Sequence, residues 1–89
     1  KRVAAQLLHR GSGRMMEVWT TEPGVQLYTG NFLSAGEKGK QGKTHEPRGG
    51  VCLETQHFPD SPHHPGFPST ELRPGSQFLS ETEFCFVAV

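Results

Sequence analysis

Only one stretch of this chain, Ser76 to Val89, runs for more than ten residues without a glycine or a proline. Eleven glycines and seven prolines make up about a fifth of the 89 residues. Proline removes a backbone donor and glycine weakens helix interiors, so long helices are disfavoured and short strands joined by turns are expected. The exceptional stretch alternates. Phe78, Ser80, Thr82, Phe84, Phe86 and Ala88 fall on one face, and Leu79, Glu81, Glu83, Cys85, Val87 and Val89 on the other. Period two over fourteen residues predicts a strand, wet around Glu81 and Glu83 and buried nearer Val89.

The remaining elements follow from the same punctuation. Val3 to Thr21 reads as a hairpin: a short apolar run, a turn at Arg10-Gly11-Ser12-Gly13, and a return strand from Arg14. Two glycines in a four-residue connection suit a hairpin. A short helix over residues 3–9 is the alternative, because Ala, Gln and Leu favour helices. Glu22-Pro23-Gly24 turns the chain into a strand, Val25 to Thr29. Ser34 to Gly50 is rich in Gly, Lys and Glu and reads as a mobile surface loop. Val51 to His57 is a further strand, and residues 58–75, with five of the seven prolines, form an ordered extended crossover. The expectation is one all-β unit over residues 1–89. Several of its strands are apolar on both faces, so a partner sheet is missing from this chain.

Composition narrows the function. Nine basic and nine acidic residues cancel, which removes any general attraction to nucleic acid or to an anionic membrane. No apolar run approaches the ~20 residues of a membrane-spanning helix. Cys52 and Cys85 both lie in apolar segments and read as reduced, buried thiols rather than a disulfide. The chain opens at Lys1 with neither an initiator Met nor a secretory pattern, which suggests a fragment of a cytoplasmic protein.

Most candidate chemistry fails on spacing. Gly36 to Thr44 imitates a phosphate-binding loop, but five residues rather than four separate Gly36 from Gly42, and Pro47 prevents the helix that would follow. His63 and His64 are adjacent and would point to opposite faces of an extended chain. With Cys52, His57, His9 and His45 they give no metal-ligand spacing, so no metal is expected. Neither cysteine sits in an electropositive setting that would make it a nucleophile. Glu54 stands apart. It interrupts Val51-Cys52-Leu53 and Thr55-Gln56, with no Lys or Arg within five residues. Burying an unpaired charge is costly, so Glu54 either faces solvent as an ordinary strand residue or is held as a general base. Cys52 and Gln56 share its face. Gln26, between Val25 and Leu27, is either a satisfied core amide or a ligand contact. Trp19 and Tyr28 could stack on a sugar face, although aromatic residues in strands more often belong to a core.

The segment from Ser12 to Leu33, including Glu17-Val18-Trp19-Thr20-Thr21-Glu22-Pro23-Gly24-Val25-Gln26-Leu27-Tyr28-Thr29-Gly30-Asn31-Phe32, resembles the aldose 1-epimerase (galactose mutarotase) family. Gly50-Val51-Cys52-Leu53-Glu54-Thr55-Gln56, Phe58-Pro59-Asp60, Phe67-Pro68 and Leu72-Arg73-Pro74-Gly75 continue the resemblance in order. Residues 1–11 match poorly. The resemblance implies the C-terminal part of a large antiparallel β-sandwich that interconverts the α and β anomers of aldoses such as galactose and glucose, without cofactor. It places Glu54 at the general-base position and Gln26 at a sugar-binding position. The family's acid His lies upstream of this sequence, and none of the five histidines here inherits its role. The competing reading is a vestigial carbohydrate-binding fragment without catalysis.

Overall fold

The computed structural model describes all 89 residues, and every regular element longer than three residues is a strand. β1 (Arg2–His9) and β2 (Arg14–Thr20) form the expected hairpin, and no helix forms over residues 3–9. The tight end works because Gly13 takes a φ of +68° while its amide bonds to the His9 carbonyl at 3.0 Å. A Cβ on Gly13 would stand 2.6 Å from the Val89 carbonyl oxygen, and the Val89 amide donates to Gly13 at 2.7 Å. Gly13→Ala is therefore expected to destabilise the hairpin by about 1–3 kcal/mol, read as a lower midpoint in urea unfolding when these residues are part of a complete sandwich.

β7 (Thr82–Ala88) pairs antiparallel with β2, giving a three-stranded sheet in the order β1-β2-β7. The strand is shorter than the alternation over residues 76–89 predicts. Its partner β2 ends at Thr20, opposite Thr82, so residues 76–81 have no ladder to join and stay irregular and exposed. Glu81 and Glu83 are exposed as expected, but the C-terminal end of the strand differs from expectation. Val87 and Val89 are exposed rather than buried. At the other end the Lys1 ammonium contacts Glu81, at 2.6 Å, and Glu83. These hydrogen bonds raise the Lys1 pKa above its ordinary value, and the bond from Lys1 lowers that of Glu81.

β3 (Gly24–Tyr28) and β6 (Cys52–Gln56) make a second, two-stranded antiparallel sheet. Between them, the polar segment expected to be a bare loop carries a ladder of its own. β4 (Glu37–Lys38) pairs with β5 (Thr44–His45) around a single turn of 3-10 helix at Lys40–Gly42. Backbone bonds such as Gly39 N–H to the Lys43 carbonyl (2.7 Å) hold it together, and no side chain in it is buried. The proline-rich crossover is likewise not fully extended. Ser61–His63 form a 3-10 turn that brings both His63 and His64 onto the Asp60 carboxylate, at 2.5 and 3.1 Å. Phe67 stacks on His64 and meets Phe58 edge-on, which gives this segment its small aromatic cluster.

Very little of the chain is covered. Val18 is the one buried apolar side chain, and the other buried residues are Thr20, Glu22, Gly30 and Ser61. Phe86, Phe84 and Leu27 are 76, 50 and 59% exposed. Cys52 is exposed and Cys85 half-buried, so the thiols are free but are not core residues. The apolar strand faces noted in the sequence thus find no cover within these 89 residues. No helix is long and apolar enough to cross a membrane.

Candidate active site

The β3–β6 ladder decides which side chains meet. Its register pairs Gly24 with Gln56, Gln26 with Glu54, and Tyr28 with Cys52. Side chains directly opposite in an antiparallel pair lie on one face with Cβ atoms about 4.5–5.5 Å apart. Glu54 and Gln26, singled out separately in the sequence and 28 positions apart, are therefore direct cross-strand neighbours. Gln56, Tyr28 and Cys52 share their face. Val25, Leu27, Leu53 and Thr55 occupy the reverse face, which explains the apolar residues that flank both polar ones in sequence.

Glu54 and Gln26 are both exposed, and the face they share is open. Tyr28 is braced by its hydroxyl, which accepts a hydrogen bond from the Phe32 amide at 3.0 Å. That bond folds the Gly30–Leu33 segment back over the end of β3. The result is a carboxylate acceptor beside an amide that can donate and accept, with no ion pair formed by Glu54. Such a surface suits an uncharged polyol, whose hydroxyls both donate and accept.

A two-stranded ladder is marginal alone, and this one is tied down by polar contacts that the sequence did not announce. Thr55 Oγ1 lies 2.8 Å from Thr82 Oγ1, which lies 2.9 Å from Thr20 Oγ1. Just before β3, the buried Glu22 carboxylate meets His57 Nδ1 at 3.0 Å, just after β6. In sequence, Glu22 is turn punctuation and Thr82 is one member of a strand face shared with Phe78, Ser80, Phe84, Phe86 and Ala88. The available signal was polar residues, Thr20 and Thr82, at inward positions of otherwise apolar strands.

None of the five histidines bonds to Glu54 or Gln26. His9 bonds to Ser12, His57 to Glu22, His63 and His64 to Asp60, and His45 sits in β5.

The family model described as aldose 1-epimerase matches residues 1–85. The chain belongs to the aldose 1-epimerase family. The match extends through residues 1–11, where the motifs alone gave little. Galactose mutarotase from Mus musculus is 50% identical over 86 residues, covering 97% of this chain and 25% of the relative. The Bos taurus galactose mutarotase has the same identity and coverage. Aldose 1-epimerase from Escherichia coli (strain K12) is 38% identical over 90 residues, covering 99% of this chain and 26% of the relative. The chain thus spans about a quarter of the length of these curated relatives, and it matches their C-terminal portion. The fold agrees: antiparallel sheets joined by turns, two of them single turns of 3-10 helix, with apolar strand faces uncovered.

Proposed function

We infer that this chain supplies the general-base wall of an aldose 1-epimerase, acting on hexoses such as galactose and glucose. The observation that carries the reading is the register pair Gln26–Glu54, within a chain of this family. In the proposed reaction Glu54 takes the proton of the C1 hydroxyl of the cyclic sugar. An acid group from outside these 89 residues protonates the ring oxygen. The C1 carbonyl forms as the C1–ring oxygen bond breaks. Rotation about C1–C2 exposes the other carbonyl face, and reclosure returns the proton to C1–O and regenerates both catalytic groups. Gln26 holds a sugar hydroxyl beside the carboxylate. No net charge or electron moves, so no cofactor is required.

The open side of the β3–β6 face is where the remainder of the sandwich closes the pocket in this reading. The other partner is the aldose itself, with no role for nucleic acid or membrane. A cytoplasmic setting accords with two unpaired thiols.

The test joins these 89 residues to the upstream three quarters of the mouse galactose mutarotase, in place of that protein's own C-terminal quarter. Polarimetry of freshly dissolved α-galactose and α-glucose then follows anomerisation. The joined chain is expected to speed mutarotation by orders of magnitude over buffer, while the 89 residues alone give almost none. A folded joined chain no faster than buffer would overturn the proposal.

A further inference from the structure

The base strand β6 is gripped from behind by a chain of three hydroxyls. Thr82 Oγ1, on β7 of the other sheet, is its hub: it lies 2.9 Å from Thr20 Oγ1 and 2.8 Å from Thr55 Oγ1. Thr20 is fully buried; its hydroxyl accepts from the Glu22 amide at 3.0 Å and lies 3.2 Å from the Glu81 carbonyl oxygen. One proton arrangement satisfies every member: Thr55 donates to Thr82, Thr82 to Thr20, and Thr20 to the Glu81 carbonyl. Thr55 is adjacent to Glu54 and points to the opposite face, so fixing its side chain fixes the backbone from which Glu54 projects. The Glu22–His57 contact holds the chain immediately after this strand, two residues beyond Thr55. Both grips start from the single corner Thr20–Glu22.

We propose that Thr82 is a positioning residue for the Glu54 carboxylate, acting through Thr55. The inference rests on the assignment of Glu54 as the base. Displacement of a catalytic group by about 1 Å can cost up to a hundredfold in rate, and no other hydrogen bond of side chains joins β6 to the β1-β2-β7 sheet.

Thr82→Val keeps the side-chain shape and a strong strand former, but leaves the Thr55 hydroxyl without its partner, while Thr20 keeps its bonds to the Glu22 amide and the Glu81 carbonyl. In the joined chain, kcat for mutarotation is expected to fall about ten- to a hundredfold while KM changes less than about threefold. Thr82→Ser, which restores the hydroxyl, returns kcat to within about threefold of the parent. A purely structural residue would behave otherwise: folded Thr82→Val would keep the parent kcat and differ only in melting temperature. Parent kcat in folded Thr82→Val, or a Thr82→Ser variant as slow as Thr82→Val, overturns the inference. Should Thr82→Val not fold, Thr55→Val carries the same expectation and the same refutation. Glu54→Gln measured in parallel separates the two levels. If it keeps full activity, the base assignment fails and this inference with it. If it is inactive while Thr82→Val is not impaired, only the positioning role fails.

Discussion

Glu54→Gln, in the joined chain, should reduce the rate of mutarotation about 10²- to 10⁴-fold with little change in KM. Glutamine preserves size and hydrogen-bonding reach but cannot accept a proton at neutral pH, so the loss isolates proton transfer from binding. Gln26 is expected to behave differently, because it offers hydrogen bonds and no proton transfer. The register pair makes the contrast informative: both side chains stand on one face, directly opposite. A structural defect would affect them alike, whereas the proposed chemistry separates them. A Glu54→Gln protein that folds and equilibrates α-galactose at the parent rate would remove the base assignment.

The second large effect concerns the 89 residues alone, which are expected to fail as a stable monomer. A compact chain of this length has a radius of gyration of about 12 Å; this one measures 16.8 Å, with extents of 46 × 32 × 23 Å. Its accessible surface is 7186 Å², against about 5,200 Å² for a folded monomer of this mass. One buried valine is no core. Exposed Phe84, Phe86 and Leu7 present an apolar sheet face of the kind that drives association. Isolated polypeptide should bind a hydrophobic dye, scatter light at micromolar concentration and melt without a sharp transition. A soluble monomer with a single steep melt would show that the uncovered faces need no partner.

Much of the site was legible in the sequence because its signals are local. Glu54 and Gln26 each interrupt an apolar strand, and strand periodicity assigns Cys52, Glu54 and Gln56 to one face. What periodicity does not provide is the partner register, so the meeting of Glu54 with Gln26 became visible only in the ladder. The same gap explains the overlong C-terminal strand. Alternation from Ser76 describes side chains that could line a sheet, but β2 stops at Thr20 and β7 begins opposite it. The hairpin at residues 37–45 carries no apolar pattern because its stability is in backbone bonds and turn geometry. Adjacency alone implies an extended pair at His63 and His64, and the left-handed Asp60 that turns them onto its own carboxylate leaves no sequence period. Contacts across long separations, Glu22 with His57 and Thr20 with Thr82 and Thr55, were beyond any local rule.

The most direct measurement is a crystal structure of the joined chain bearing Glu54→Gln, soaked with galactose so that the slowed reaction leaves the ring closed. The account predicts the C1 hydroxyl within hydrogen-bond distance of the side chain at position 54, with the Gln26 amide on another hydroxyl of the same sugar. A galactose held elsewhere, or seated with C1 turned away from position 54, would contradict it.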